Sequence, residues 1–435
     1  MKRLLLKGGR VLDPSRSVDG LFDVIVFGGK IASIKASDDS SAPSVEETDA
    51  GWEVVDCTGL LVVPGLIDIH THLREPGFEY KETIKTGTQA AVAGGFTTIL
   101  CMANTEPVND NASVSRFIVK QARDLKLANV LPIGAVTKDF KGVQLTEMAE
   151  LQEAGCVAVS DDGLPITDAA IMRRALEYAR GLDLTVISHA EEPELVAGGV
   201  MHEGTVSTRL GLKGIPAEAE SVMVARDVLL SELTGGKLHV AHVSTRGALD
   251  IIRAAKKRGV NVTAEASPHH LMLTDMSVSD YGTEFKMNPP LRAGDDREAL
   301  RAAIKDGTID TIATDHAPHS SIEKDVEFDS AANGVVGLET SLGVVLRLVT
   351  EGKLTLSEVM SAMTINPALA MGLEKGTLQV GRDADITIID LDKEWTVEPE
   401  EFKTKGRNTP FAGWKLKGRA VRTIVGGRTV FEYKD

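Results

Sequence analysis

PGLIDIHTHLREPG, residues 64–77, is the stretch that decides the fold. The largely apolar run over residues 60–69 predicts a buried strand, and the strand ends in a His-Thr-His triplet. Side chains alternate between the two faces of a strand, so His70 and His72 are expected to point the same way. A single histidine in a strand is usually a packed core residue. A histidine pair that closes a buried strand, with Arg-Glu-Pro-Gly directly after it, favours a metal site.

The chain after this stretch repeats a pattern of strand, loop and helix. The eight candidate strands are residues 60–70, 97–102, 130–136, 155–160, 184–189, 237–243, 260–266 and 309–314. Amphipathic or alanine-rich segments lie between most of them, at residues 83–94, 111–126, 168–180, 216–232, 246–258 and 295–306. Eight strands that alternate with helices predict an α/β fold, a closed (β/α)8 barrel of the TIM type.

Both ends of the chain have a different sequence pattern, which predicts short strands separated by glycine-rich turns. We expect the two ends to form one small β domain, residues 1–59 plus 372–435, beside a catalytic barrel of residues 60–371. A polar, acidic loop is expected over residues 36–53.

Composition excludes several classes of partner. The formal net charge is −15 with no compensating basic block, which argues against nucleic acid and anionic membranes as partners. The amino terminus has an apolar run of only three leucines, unlike a signal peptide, and no run approaches the ~18 apolar residues of a spanning helix. Cys57, Cys101 and Cys156 lie singly in apolar segments, as expected for reduced core residues of a cytoplasmic protein.

Chemically capable side chains collect at the ends of the predicted strands. Active sites of such barrels lie where the strands end and the following loops begin. The residues at these ends are His70, His72, Asn104, Asp161, Asp162, His189, His242 and Asp315. Four histidines, Asp315 and one of the two adjacent aspartates, Asp161 or Asp162, are a ligand set for two divalent ions, with zinc the favoured metal.

Some of these positions have ordinary alternatives. Asp161-Asp162-Gly163 is also a common turn sequence, and spacing alone does not say which aspartate binds metal. His239 and His242 lie on opposite faces of one strand, so we expect His242 to be the ligand and His239 to be a packing residue. The remaining histidines of this kind are His202, expected to be uninvolved, and His269 and His270, which fit a supporting role or a helix start equally well.

Five motifs resemble those of dihydroorotases of the bacterial class I type, which belong to the metal-dependent amidohydrolase superfamily. They are HTHLREPG (70–77), MANT (102–105), SDDG (160–163), KMNPPLR (286–292) and TDHAPH (314–319). The resemblance runs from the first β segment to the GRDADITIID strand and so covers nearly the whole chain.

The resemblance implies two zinc ions per subunit. His70 and His72 would hold one ion and His189 and His242 the other, with Asp162 bridging both, and Asp315 would be a ligand and the catalytic base. The implied substrate-binding residues are His72, Arg74, Asn104, Asn288 and His319, with backbone groups of Asn333 and Gly334. The family more often has phenylalanine where Asn333 stands, and a backbone role survives that difference.

The implied reaction is the zinc-dependent, reversible hydrolysis of the cyclic amide of (S)-dihydroorotate to N-carbamoyl-L-aspartate, a step of de novo pyrimidine (UMP) biosynthesis. The family also makes a homodimer the expected state and a complex with aspartate transcarbamoylase a further expectation. Residues 320–332 are polar and charged, and fit either a lid over the site or a plain solvated loop.

Two other functions compete with this one. Allantoinases and hydantoinases hydrolyse related cyclic amides, but many of them bridge the metals with a carboxylated lysine, and the fourth strand here, CVAVSDDG, has none. A non-catalytic scaffold that supports aspartate transcarbamoylase would be expected to lack some ligands, and this chain has the whole set.

Overall fold

The computed structural model describes residues 3–37 and 51–434. The acidic loop expected over residues 36–53 therefore lies, apart from its two ends, outside the described residues. Strands and helices are numbered below in chain order.

The strands are β1 (Arg3–Asp13), β2 (Val18–Phe27), β3 (Lys30–Ala36), β4 (Trp52–Asp56), β5 (Leu61–Pro64), β6 (Leu66–Thr71), β7 (Phe96–Cys101), β8 (Asn129–Gly134), β9 (Ala158–Ser160), β10 (Thr185–Ser188), β11 (Met201–His202), β12 (Gly214–Ile215), β13 (Lys237–Val240), β14 (Val262–Ala266), β15 (Thr311–Ile312), β16 (Ile386–Thr396), β17 (Lys415–Val425) and β18 (Arg428–Glu432).

The helices are α1 (Ile84–Ala93), α2 (Ala112–Leu125), α3 (Met148–Glu153), α4 (Ala169–Gly181), α5 (Pro193–Val196), α6 (Thr205–Leu210), α7 (Glu218–Thr234), α8 (Arg246–Lys257), α9 (Pro268–Met272), α10 (Gly294–Lys305), α11 (Ser321–Lys324), α12 (Ser341–Thr350), α13 (Leu356–Met363) and α14 (Ile365–Ala370).

The barrel is an eight-stranded parallel sheet in the order β6-β7-β8-β9-β10-β13-β14-β15, so neighbours in the ring follow one another along the chain. The ring closes through backbone hydrogen bonds at the first and last strands: His72 N donates to His316 O at 2.9 Å, and His316 N donates to His70 O at 3.3 Å. The predicted (β/α)8 barrel is confirmed.

The barrel interior is filled with apolar side chains below the rim. Side chains from several barrel strands, among them Ile67, Leu100 and Ile187, form one buried cluster with Ala368 and Met371 in and just after α14. Thr185, at the start of β10, donates its hydroxyl to the carbonyl of Ala370. The α14 helix therefore closes the amino-terminal end of the barrel and leaves the carboxyl end for chemistry.

A second eight-stranded sheet combines both ends of the chain. Its order is β18-β17-β16-β5-β1-β2-β3, with β4 beside β1, and β16 pairs antiparallel with β5. This confirms the predicted β domain built from the two chain ends.

The strand predicted over residues 60–70 is two strands in different sheets, so that prediction was wrong in its length. Residues 61–64 form β5 in the terminal sheet, and residues 66–71 form β6 in the barrel. Gly65 marks the change, and a Cβ built there would lie 2.1 Å from Thr97 Oγ1. Both strands are buried throughout, so hydrophobicity alone did not separate them.

Candidate active site

Six histidine and aspartate side chains that could bind metal meet at the carboxyl rim of the barrel, where the sequence analysis expected them. They are His70 in β6 and His72 directly after it, Asp162 after β9, His189 after β10, His242 after β13 and Asp315 after β15. All six are buried. The chain brings them together from five strands, so each strand contributes no more than two of them.

Asp162 lies between two pairs of histidines. Its Oδ2 faces His70 Nε2 at 3.4 Å and His72 Nε2 at 3.6 Å. Its Oδ1 faces His189 Nδ1 at 3.6 Å and His242 Nε2 at 3.5 Å. Asp315 Oδ1 joins the first pair, 3.4 Å from His70 Nε2 and 3.1 Å from His72 Nε2. One carboxylate thus presents a different oxygen to each pair.

These spacings fit two metal ions. Ligand atoms about 2.1 Å from a tetrahedral ion stand roughly 3.4 Å apart, close to the distances between Asp162 and the histidines. His70 Nε2 and Asp162 Oδ1 are also buried without a hydrogen-bond partner. Buried polar atoms normally have partners, and a metal ion in each group of ligands would supply them. The donor set therefore fits divalent metal, in the groups His70-His72-Asp162 and Asp162-His189-His242.

Electrostatics at the rim favour added positive charge. Burial opposes ionisation, yet the neighbouring imidazoles, His70 foremost, lower the pKa of Asp162 well below its ordinary value and that of Asp315 to about 2. Against the same burial, the carboxylates of Asp162 and Glu265 raise the pKa of His70 well above its ordinary value. The carboxylates are therefore ionised and attract cations.

Hydrogen bonds on the far side of two rings aim their free nitrogens at Asp162. His70 Nδ1 lies 2.5 Å from Glu265 Oε1, and His72 Nδ1 lies 2.9 Å from Asn104 Oδ1. Glu265 also accepts from the backbone N–H of His242 at 3.1 Å. A partner on one ring nitrogen sets which nitrogen faces a metal.

Glu265 was missed by the sequence analysis. Its signal was a single carboxylate inside the predicted barrel strand VTAEA, where a buried charge would need a partner. His239 bonds Glu265 Oε2 at 3.2 Å and Thr263 Oγ1 at 2.8 Å, outside the groups that face Asp162. It supports Glu265.

Asp161 points away from the rim. Its Oδ1 accepts the backbone N–H groups of Val136 at 2.7 Å and Thr137 at 3.0 Å, and its Oδ2 accepts from the Thr137 hydroxyl. Asp161 thereby ties the end of β9 to the loop after β8, while Asp162 faces the histidines. The spacing in the sequence did not say which of the two aspartates faces the histidines, and the structure distinguishes them.

Three residues of the rim have left-handed backbone conformations that non-glycine residues rarely adopt: Arg74 (φ 62°), His242 (φ 30°) and Asp315 (φ 49°). Such conformations cluster at functional sites, where the surroundings hold them. The loop after His242 is fixed by Glu220, a buried carboxylate that accepts hydrogen bonds from the backbone N–H groups of Ser244 and Thr245.

A cavity of about 230 Å³ lies beside the histidine groups. It is lined by all the residues expected to bind substrate: His72, Arg74, Asn104, Asn288, His319, Asn333 and Gly334. His202, His269 and His270 are not among its lining residues. His269 and His270 lie in the short helix α9, which begins at Pro268, and His202 lies 3.3 Å from an Arg292 nitrogen.

Arg74 and His319 lie on one side of this cavity, and Arg74 supplies the positive charge there. Arg74 is buried, its Nε donates to Pro318 O at 3.4 Å, and one of its terminal nitrogens lies 3.5 Å from His319 Nε2. Burial, with the charges of Arg74 and Lys81, lowers the pKa of His319 to about 3, so its ring is neutral at pH 7. His319 Nε2 then donates to Asn333 O at 2.8 Å.

The Asn333–Gly334 backbone forms the wall of the cavity next to His319. Gly334 N donates to Lys286 O at 3.0 Å, so that N–H is already engaged within the protein. A Cβ on Gly334 would lie 2.7 Å from Ala317 Cβ, and its φ of 130° disfavours other residues. Asn288, which also lines the cavity, donates Nδ2 to Glu191 Oε1 at 3.0 Å.

Comparisons with known proteins agree on one family. A family model described as dihydro-orotase-like matches residues 59–248. The curated dihydroorotase of Syntrophotalea carbinolica is 54% identical over 433 residues, which span the whole of both chains. That of Geobacter metallireducens is 54% identical over 429 residues, 99% of each chain.

Solved structures agree on the fold. The L-hydantoinase (dihydropyrimidinase) of Arthrobacter aurescens superposes with a TM-score of 0.87 and 26% identity, over 100% of this chain and 97% of that one. The dihydropyrimidinase of Brevibacillus agri superposes with a TM-score of 0.81 and 25% identity, over 99% and 95%. In the described part of this chain, no helix has the length and apolar character needed to cross a bilayer.

Proposed function

The chain belongs to the dihydroorotase family of cyclic amidohydrolases, and on that basis we propose that it hydrolyses (S)-dihydroorotate reversibly to N-carbamoyl-L-aspartate in de novo pyrimidine biosynthesis. The observation that carries the proposal is Asp162, whose two oxygens face two histidine pairs beside a cavity that holds Arg74. A ring amide needs strong activation, and the substrate is an anion.

The proposed cofactor is a pair of Zn²⁺ ions bridged by Asp162. His70, His72 and Asp315 would complete one site, and His189 and His242 the other. Bound zinc supplies a Lewis acid and lowers the pKa of water from ~15.7 to about 7. The support from this chain is the ligand spacing and the two buried, unpartnered ligand atoms.

Arg74 is the proposed anchor of the substrate carboxylate. Its guanidinium offers a planar fork of donors that matches a carboxylate. Asn104 and His319 line the same cavity and complete the polar pocket. Holding the carboxylate fixes the ring so that its amide lies over the histidine groups, which is the positional contribution of these side chains.

Asp315 is the proposed catalytic base. It lines the cavity, and its Oδ1 lies against the Nε2 atoms of His70 and His72. From there the carboxylate can accept a proton from the attacking water and return it to the ring nitrogen as the amide bond breaks. Because this one carboxylate lies beside both the histidines and the cavity, one residue can serve both proton transfers.

We also propose that the enzyme is a homodimer in the cytoplasm. A complex with aspartate transcarbamoylase is a further proposed assembly. Cys57, Cys101 and Cys156 are buried and unpaired, as suits a reducing compartment. Analytical ultracentrifugation of the enzyme alone, and mixed with aspartate transcarbamoylase, tests both assemblies.

The function is tested by offering the zinc-supplied enzyme dihydroorotate, allantoin and hydantoin side by side, with a chelator-treated sample as control. We expect ring opening of dihydroorotate alone, abolished by the chelator. The fold shared with hydantoinases makes hydantoin the informative competitor. Turnover of hydantoin or allantoin instead would overturn the assignment of the Arg74 pocket, and no turnover with metal bound would favour a scaffold role.

A further inference from the structure

Two buried side chains from distant parts of the chain form hydrogen bonds to the cavity wall made by Asn333 and Gly334. One is Lys324, in the short helix α11. The other is Asn408, in the segment between β16 and β17. Both donate to the same atom, the carbonyl oxygen of Gly334.

Lys324 uses its ammonium group on backbone carbonyls. The residue is 3% exposed, and its Nζ lies 3.3 Å from Lys286 O, 3.0 Å from Ala332 O and 3.2 Å from Gly334 O. An ammonium has three N–H donors, and here each has an acceptor. Lysine is seldom buried so completely, since the charge loses its hydration.

The charges that face Lys324 are Glu284 and Lys286. Burial, with the repulsion of Lys286, lowers the pKa of Lys324 to about 8, and Glu284 acts against this shift. Lys324 therefore remains mostly charged at pH 7, and hydrogen bonds from a charged donor to carbonyls are among the stronger kinds.

Asn408 joins the two loops that flank the cavity. It is 3% exposed, and its Nδ2 donates to Ala317 O at 2.9 Å and to Gly334 O at 3.0 Å. Its Oδ1 accepts the backbone N–H of His319 at 3.1 Å. One amide thus fixes the loop that carries His319 against the loop that carries Gly334.

We propose that Lys324 and Asn408 are positioning residues for the substrate pocket, acting through the Gly334 carbonyl that they share. Together they hold the Asn333–Gly334 wall and His319 at the separation that the substrate requires. The inference rests on the proposed substrate-binding role of His319, Asn333 and Gly334. It assigns a function to one residue of the segment 320–332 and to one residue outside the barrel.

Two variants remove the contacts with little change of shape. Lys324→Met removes all three donors, and Asn408→Asp turns the donating amide into a carboxylate that faces two carbonyl oxygens but still accepts from His319 N. We expect each to raise the KM for dihydroorotate roughly tenfold, which corresponds to about 1.4 kcal/mol. The kcat should change less than about threefold and the metal content should not change, because neither side chain touches the reacting atoms.

The double variant tests whether the two residues act through one atom. Effects of residues that share a partner are not additive in free energy. We expect Lys324→Met with Asn408→Asp to raise KM by roughly ten- to thirtyfold. A rise of roughly a hundredfold, the product of two independent effects, would overturn the shared anchor.

The controls separate positioning from a general loss of folding. Lys353→Met makes the same chemical change at an exposed lysine and should leave KM unchanged. Lys324→Arg keeps a charged donor and should return KM to within about threefold of the wild type, which keeps the test usable if Lys324→Met does not fold. Wild-type KM in Lys324→Met, or a loss of kcat and metal in both single variants, would overturn the inference. Failure of the proposed function would instead appear as a different preferred substrate of the wild-type enzyme.

Discussion

At the scale of single residues, the site depends on which atom of each side chain faces inward. Asp162 fits a bridging role because Oδ1 and Oδ2 face different histidine pairs. His70 presents Nε2 because Glu265 occupies its Nδ1, and His72 presents Nε2 because Asn104 occupies its Nδ1. Asn104 therefore orients a proposed metal ligand in addition to lining the cavity.

Replacing the proposed base should separate proton transfer from metal binding. Asp315→Asn keeps the size of the side chain but cannot accept the proton, and we expect kcat to fall by roughly 10²–10⁴ while much of the metal stays bound. Steady-state kinetics and metal analysis of the same preparation measure both effects. Near-normal turnover would refute the assignment of Asp315 as the base.

Replacing Arg74 should affect substrate binding more than the chemical step. Arg74→Lys keeps the charge but loses the planar fork, and we expect KM for dihydroorotate to rise by roughly tenfold or more, with a smaller effect on kcat. Kinetics over a range of substrate concentrations separate the two constants. If both constants match the wild type, Arg74 lies outside the carboxylate pocket.

At the scale of elements, strand ends place the side chains, and hydrogen bonds between neighbouring loops orient them. The end of β9 shows this most clearly, because Asp161 and Asp162 are adjacent and face different surroundings. Asp161 ties β9 to the loop after β8, whereas Asp162 faces the histidines.

Substitutions of Asp161 and Asp162 should therefore have opposite effects on stability and on metal binding. Asp161→Ala leaves the buried N–H groups of Val136 and Thr137 without their acceptor, and we expect a loss of about 2–3 kcal/mol of stability with metal binding retained. Asp162→Asn should lower the metal content while the metal-free protein unfolds near the wild-type temperature. Calorimetry and metal analysis of both variants check this pair, and an exchange of the two phenotypes would contradict the proposed bridge.

At the scale of the whole molecule, the carboxyl-terminal part of the chain is a structural partner of the active site. The segment between β16 and β17 supplies Asn408 to the cavity wall, and its Lys403 and Thr404 N–H groups donate to the carboxylate of Glu339. This segment therefore contacts the loops at the catalytic end of the barrel.

Glu339 should make this contact sensitive to pH. Burial raises its pKa from 4.5 to about 7. Between these values the unfolded chain loses the proton while the folded protein keeps it. The contribution of Glu339 to stability is therefore full below about pH 4.5 and is lost as pH rises to about 7. We expect Glu339→Gln, which has no proton to lose, to lose less stability than the wild type between pH 5 and pH 8. Thermal unfolding of both proteins across this range measures the difference. If the stabilities of the two proteins change with pH in parallel, Glu339 is not the group responsible.

Much of the fold followed from local patterns. Each of the eight predicted barrel strands corresponds to an observed one, because hydrophobic runs and turn residues are local properties that the sequence displays directly. The division at Gly65 escaped prediction because two buried strands in different sheets look alike in one dimension. The roles of Glu265, Lys324 and Asn408 also escaped prediction, since the sequence shows that a residue is polar but not which distant group it contacts.

The sequence by itself determined the alternation of strands and helices, the pairing of the two chain ends, and the family to which the chain belongs. These depend on periodicity and on motifs that are contiguous along the chain. Only the tertiary structure decided that Asp162 rather than Asp161 faces the histidines, that Glu265 supports His70, and that the Gly334 carbonyl has two distant donors. The physical reason is that a hydrogen bond or a metal site depends on distances of a few ångströms in space, and residues hundreds of positions apart reach those distances only when the barrel closes.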